Sequence, residues 1–499
     1  MSIVRSPSAI RHNLLILMLW STVLWPAPSH AREAYLSPAA LVATQDGGTL
    51  FVACATANRV LRFDTATRSV TATISLPDPP LGLVLSPDET RLLVTCAAPA
   101  SQVCVVDLAQ QRVTATYRAG HTAMAPVLSP DGKLLYVCNR FDDDVSIIDL
   151  ELQRPLRRVK VQREPVAAGL TRDGRFLLVA NLLHTGRADA GHVASSVSVI
   201  DTAAGTVVKE LSLPNGSGLL KDLRVSPDGK YAVVSHILAR YPLPTTQLDR
   251  GWMSTNAKTI IDLDRLEIVN TVLLDSVDSG AANPRGLAWS ADGATLVVTH
   301  AGTHEISVIN FPALLDKLAK VPATLEAGRG DPYAASRVQA DVPNDLSFLV
   351  GLRRRLKLPE TDRGPRAVLL VGNLAYVANY FSDTLAVVDV AAEYPKWTSI
   401  RLGPETPMSE IRKGEFYFND AGICFQGWQS CATCHPGDGR VDALNWDLLN
   451  DGIGNPKNNK SLLLSHRTPP AMSIGVRETA EMRSEERRVG KKCRYRWWA

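Results

Sequence analysis

The chain has 499 residues, enough for more than one domain, with charged residues mixed and a net charge of only +4. That balance excludes a strongly basic nucleic-acid surface and an acidic disordered tail. The single basic run, Arg353-Arg354-Arg355 with Lys357, reads as a solvated helix face. Eight cysteines are spread through the chain and form no dense disulfide framework.

Residues 1–31 hold Arg5, Arg11 and His12, then an apolar run from Leu14 to Trp25 and a polar stretch ending Ser29-His30-Ala31. This is the layout of a secretory leader, with cleavage expected after Ala31. The run is too short and wrongly flanked for a stable span, and no later run reaches that apolar length. The expected location is the periplasm, with no membrane span after cleavage.

Residues 32–403 are repetitive. A turn leads to an alternating strand ending in a small polar residue, and a second strand ends in aspartate. SPDGKLLYVCN then VSIIDL (129–150) and RDGRFLLVAN then VSVIDT (172–202) are the clearest copies. The Asp-Gly pairs suit tight hairpins, since glycine accepts positive φ. Aligned strand ends give Asp64, Asp107, Asp149, Asp201, Asp262, Asn310 and Asp389. Seven units at roughly forty residues predict a mainly β chain built as a seven-bladed β-propeller with four strands per blade. The strands YVCN (136–139) and YVAN (376–379) resemble those of the YVTN-type β-propeller family. That resemblance implies a fold, and no single function.

Longer gaps place insertions at 182–195, 238–256 and 312–363, the last with a helical piece expected around Leu346 to Leu356. The fourth position of the repeated strand runs Cys54, Cys96, Asn139, Asn181, His236, His300 and Asn379, a set that should ring one face. With Arg285, Arg366 and His304 nearby, this ring suits either an acidic ligand, such as a haem propionate, or hydrogen bonds to loop backbone. The second is the expectation, because the slot is filled in every blade. Metal binding by His236 and His300 lacks a third ligand. Cys96 and Cys104 should face each other across a hairpin as small buried thiols.

From Gly403 the repeat stops. Residues 408–420 predict a helix with Ile411, Phe416 and Phe418 as its apolar contacts. Cys431-Ala432-Thr433-Cys434-His435 follows, two thiols three positions apart and then an imidazole, the attachment pattern of a c-type haem. The thiols would bond the two vinyl groups on one porphyrin edge, and His435 would be the proximal iron ligand. Half of a zinc site and a thiol redox pair are the competing readings. The first lacks a second ligand pair, and the second lacks a βαβ context.

The haem motif, the Gly/Asn-rich stretch, SLLL (461–464) and RTPPAM (467–472) together resemble the bacterial di-haem cytochrome c peroxidase superfamily. The resemblance makes 404–482 the first half of a small α-helical cytochrome domain carrying one covalent haem c, with a second haem expected in a full-length protein. It implies Cys431 and Cys434 as thioether sites, His435 as proximal ligand, and Met472 or His466 at the sixth position. Trp446 and Arg467 are candidates for an electron route or a distal donor. The catalytic residues stay unknown. No second Cys-x-x-Cys-His occurs, and residues 483–499 resemble a translated adapter read-through, so this tail is expected to be non-native and the chain truncated.

Two functions follow as expectations. One is a periplasmic haem oxidoreductase with peroxidase-like activity, inactive in this shortened form, with the propeller recruiting a redox partner protein or a peroxide-like small molecule. The other is a non-catalytic electron carrier, or a propeller module that binds a protein ligand on its face. A propeller hydrolase ranks last, for want of a metal cluster.

Overall fold

A computed structural model describes residues 35–243, 253–324, 335–447 and 456–470. The leader at 1–31, Met472 and the tail at 483–499 lie outside the described residues. Seven four-stranded antiparallel sheets follow one another along the chain. Blade 1 is Pro38–Ala43, Thr49–Cys54, Arg59–Asp64 and Ser69–Ser75. Blades 2, 3 and 4 begin at Pro80, Ala123 and Pro165, blade 5 at Ser217, blade 6 at Pro284 and blade 7 at Pro365. The first strand of each blade packs on that of the next, and blade 7 meets blade 1 to complete the ring.

The repeat explains why each blade forms. The second and third strands are almost wholly buried and aliphatic, whereas the fourth alternates, as in Ser69–Ser75. Strands buried on both faces read as continuous apolar runs, and a rim strand with one wet face alternates. Between the first and second strands, Ser129 Oγ bonds Asp131 at 2.5 Å and accepts from Leu134 N at 2.9 Å, with Gly132 at φ +70. The aligned aspartates end the third strand of each blade. Each closes the next turn by accepting a backbone N–H, as Asp64 does from Thr67 and Asp107 from Gln110. Asn310 caps the helix Phe311–Lys320 through Ala313 N in the same manner.

Two expectations are corrected here. The helix of the long insertion is Phe311–Lys320, with a 3-10 turn at Gln339–Asn344, and none forms at 346–356. Arg353–Lys357, read above as a solvated helix face, is instead the outer strand of blade 6, paired with Glu305–Ile309. Arginine and leucine favour helix only weakly, and an unpaired strand edge outweighs that preference. Arg353 and Arg355 turn inward, where Arg355 pairs with Glu305.

All four strands of blade 7 come from one continuous stretch of chain, so no shared strand fastens the ring. The clasp is made of side chains. Asp383 accepts from the backbone N–H groups of Leu36 and Ser37 at 3.0 and 2.8 Å. The helix Glu410–Asn419, capped by Ser409, then places Arg412 in the seam. Arg412 is 1% exposed, donates to Ser37 Oγ and the Tyr380 carbonyl, and lies over the rings of Tyr35, Tyr380 and Phe381. Phe416 and Phe418 are buried as expected; Ile411 is 57% exposed and Arg412 takes its place, because the seam offers carbonyl and hydroxyl acceptors. Beyond Gly403 the described residues form that helix, one-turn pieces and a two-residue strand pair, rather than a set of packed helices.

Candidate haem attachment site on the propeller face

The face that carries the site is the one the repeated slot encircles. Cys54, Asn181, His300 and Asn379 sit opposite Pro38, Pro165, Pro284 and Pro365, the first residues of the innermost strands. All seven slot residues are fully buried. Their polar groups bond mainly to the third strand of their own blade, and Asn139 Oδ1 also accepts from the loop N–H of Gly120 at 2.8 Å. Asn139 reaches Ser146 at 2.8 Å, Asn181 reaches Ser198 at 2.9 Å, and His236 meets Thr259 at 2.8 Å. His300 meets Ser307 at 2.7 Å and Asn379 meets Thr384 at 3.1 Å. Burial pushes His236 down to about 4, and burial together with Arg355 and Arg353 pushes His300 well below its usual value. Both imidazoles are therefore neutral structural groups. Cys96 and Cys104 meet as buried thiols, Sγ to Sγ 3.4 Å.

Arg366 stacks on Tyr380, and the Arg285 carbonyl accepts from Ser235. His304 stacks on Phe416 and faces Asp420 at 3.3 Å. Of these basic residues, His304 packs on the linker helix, whereas Arg366 stacks within blade 7.

Blade 5 rises above its neighbours, with second and third strands of nine residues each, Tyr231–Ala239 and Ser254–Asp262. Their tips receive the segment that leads into the motif. Trp428 is fully buried beside Leu238, Ala257, Leu273 and Leu346. Its carbonyl accepts from Asn256, and Gly280 N donates to the Gln426 carbonyl at 2.9 Å. Gly280 must be glycine: a Cβ there would come within 2.3 Å of Trp428 Cα.

The motif is one helical turn, Cys431–Cys434. Ser430 N donates to Thr433 Oγ1 at 3.0 Å, and His435 N to the Cys431 carbonyl at 2.9 Å. Asn283, at the entry to blade 6, grips both ends of that turn, donating to Ser430 Oγ at 2.8 Å and accepting from Thr433 Oγ1 at 2.7 Å. Cys434 packs near Val193, Ala239, Tyr241, Leu444 and Trp446, and burial raises its thiol pKa. Asp442 accepts from Trp446 Nε1 at 2.8 Å and Leu444 N at 3.1 Å, and burial pushes its carboxyl up to about 6.

The donor set fits a covalent haem. Both thiols lie on one turn, and His435 Nδ1 lies 3.2 Å from the Arg440 carbonyl. A ring nitrogen that donates to a carbonyl leaves the other as the basic nitrogen, so Nε2 is the one that could hold a metal. The cavity against the propeller, bounded by His184, Ser217, Thr433, Asp442 and Trp446, measures about 10 Å3, room for a water and not for a porphyrin. A second cavity of about 600 Å3 is bounded by Ser279, His304, Arg355, Asp420 and Cys424, and by none of the three motif ligands.

His466 lies in the 3-10 turn Ser465–Arg467, where its Nε2 is 3.2 Å from Arg467 Nε. Trp446 is buried on Asp442. Among the described residues no group of three or more His, Cys, Asp or Glu is arranged to hold a metal ion, and no helix is long and apolar enough to cross a membrane. Asn283, which grips the motif, carries no signal in the sequence beyond its place just before Pro284.

No protein-family model matches the chain. Hydrazine synthase subunit beta of Kuenenia stuttgartiensis is 29% identical over 205 residues, 41% of this chain and 49% of that protein. Hydrazine synthase subunit gamma of the same organism is 43% identical over 137 residues, 24% of this chain and 38% of that protein. The chain thus spans about half the length of the first of these curated relatives and less of the second. A solved structure of Kuenenia stuttgartiensis hydrazine synthase superimposes with a TM-score of 0.64 and 25% identity, over 73% of this chain and 99% of the matched one. The chain is a mainly β, seven-bladed propeller protein similar to subunits of a hydrazine synthase.

Proposed function

We propose that this chain is an exported, haem-carrying redox subunit that works in the periplasm within a multi-subunit complex of the hydrazine synthase kind. Its propeller is the platform for partner proteins, and the residues after Gly403 carry the haem. Cys431 and Cys434 provide the thioether links, His435 the proximal ligand, and Met472 or His466 the sixth position. When bound, the haem supplies one-electron chemistry. The chain's own residues fix the attachment turn: Asn283 holds both its ends, and the Arg440 carbonyl orients the imidazole.

The observation that carries this reading is that turn, gripped by a propeller residue and followed by an oriented histidine. The two curated relatives support the assembly, since both are subunits of one named complex. Electron transfer needs only the haem this chain can hold. Peroxide reduction of the di-haem kind needs a second site, and residues 1–499 contain no second Cys-x-x-Cys-His.

Expression with export and haem-maturation machinery should yield one covalent haem per chain, by intact mass and by pyridine haemochrome absorbance. The double variant Cys431→Ser/Cys434→Ser should lose the haem and keep the β-sheet circular dichroism of the parent. A parent with no covalent haem after such expression would sink the proposal. A low-spin spectrum that peroxide leaves unchanged marks an electron carrier, and one that peroxide converts marks the peroxidase-like alternative.

A further inference from the structure

Between blades 5 and 6 the upper half of the buried layer holds a lysine and two arginines. The lower half is ordinary: Val233, Ile260 and Val272 of blade 5 meet Leu296, Val298 and Ile309 of blade 6. Side chains two positions along a strand share a face. Continuing upward therefore places Ser235 and Lys258 opposite His300, Ser307, Arg353 and Arg355. Lys258 and His300 are fully buried.

The charges in this layer are not all paired. Arg355 pairs with Glu305. Asp275 carries the other carboxylate, and its oxygens are already taken by Asn256 N at 2.7 Å, Asn256 Nδ2 at 2.8 Å and Ala281 N at 2.7 Å. Arg353 donates to the Leu274 carbonyl, to the Asp275 carbonyl at 3.5 Å and to Ser276 Oγ at 2.8 Å, all neutral acceptors. Lys258 Nζ is buried and has no hydrogen-bond partner among the described residues. Burial, and then the charge of Arg353, push the lysine well below its ordinary pKa. Neither Lys258 nor Arg353 is hydrogen-bonded to a carboxylate, so a protonated Lys258 beside Arg353 lacks a counter-ion. A buried charge without a partner is strongly unfavourable, and a counter-ion relieves it.

We propose that a small monovalent inorganic anion of the halide class is bound between Lys258 and Arg353, in the layer between blades 5 and 6. Its place in the molecule gives it a role. Asn256, which bonds Asp275 inside this layer, also donates to the Trp428 carbonyl and accepts from Asn283 N. The anion would therefore fix the charge balance beneath the two residues that hold the haem segment to the ring.

The test uses the full chain as isolated. Crystals grown with bromide in place of chloride should show an anomalous peak within hydrogen-bond reach of Lys258 Nζ. A flat anomalous map in that layer overturns the site. In solution at equal ionic strength, chloride should raise the thermal midpoint of the parent above its value in gluconate by about 3 °C, as expected for a bound stabilising ion. Lys258→Met should abolish that difference. An equal response to chloride in parent and variant overturns the proposal. If the variant does not fold, the anomalous map of the parent alone decides.

Discussion

Blades 1 to 4 and blade 7 are variations on one unit, whereas blades 5 and 6 share the unit and add to it. The regular blades have second strands of six residues that end at the slot, as Thr49–Cys54 and Phe176–Asn181 do. Blade 5 runs its second and third strands to nine residues, and blade 6 inserts a helix before its outer strand. The difference is local, for the apolar lower layer between blades 5 and 6 is built like the others. It teaches that the ring is a scaffold of equivalent parts, of which two neighbours have been extended to receive the segment that carries the Cys-x-x-Cys-His motif. Asn256, Gly280 and Asn283, the contacts to Trp428 and the motif, all come from that pair.

The sharpest way to break this distinction is to remove the anchor. Trp428→Ala opens a void where a large ring was fully buried and should cost the docked segment about 4 kcal/mol. Hydrogen exchange and limited proteolysis should then show residues 421–447 released while the blades stay protected. Uniform loss of protection across the ring would mean that the segment is part of the ring's own cooperative unit. Arg412→Ala tests the opposite arm, since it acts on the seam between blades 7 and 1. Losing its bonds to Ser37, the Tyr380 carbonyl and Glu415 should lower stability by about 3 kcal/mol and expose blade 1 first. Urea unfolding followed by exchange of the first and last blades measures it.

How far the sequence could be read follows the same division. Where the unit repeats, period-two alternation, the Asp-Gly turns and the aligned aspartates place every blade, because local backbone needs and burial agree. Where blades 5 and 6 depart, the signals compete. Arg353-Arg354-Arg355 looked solvated because three adjacent charges seldom enter a sheet, and only Glu305 and the free strand edge, both distant in sequence, explain why they do. Ile411 looked like the buried residue of its helix, since nothing local reveals a seam lined with acceptors for Arg412. Cys431, Cys434 and His435 stand out from spacing alone, because it is the spacing that haem attachment to two thiols and an imidazole requires. Asn283 does not, because its partners Ser430 and Thr433 lie about 150 residues away.

A weaker perturbation is pH. Burial pushes Asp275 up to about 6 against its three N–H bonds, so the folded chain holds a proton that the unfolded chain has released above about pH 4. The folded pKa is the higher one, so this stability is complete below about pH 4 and is lost as pH rises to 6. Two pH units correspond to about 3 kcal/mol at most. Thermal midpoints of the parent should fall across pH 4 to 6 relative to Asp275→Asn, with the two curves parallel above pH 7. Parallel curves throughout would show that Asp275 stays ionised, its N–H donors outweighing its burial.

The mildest change exchanges a slot residue between the two kinds of blade. His300 bonds Ser307 on the third strand, as Asn139 bonds Ser146 and Asn181 bonds Ser198, with the same strand offset of seven residues in blades 3 and 6. His300→Asn should keep that bond and leave a small void facing Lys258, at a cost of about 1 kcal/mol. The reverse change, Asn139→His, forces an imidazole into a site already filled by Asp144 and Ser146 and should cost about 2 kcal/mol through overpacking. Denaturant midpoints of the two variants decide whether the slot is interchangeable. If His300→Asn costs as much as Asn139→His, the histidine is fitted to the charged layer between blades 5 and 6, and the slot belongs to the specialised pair as much as to the common blade.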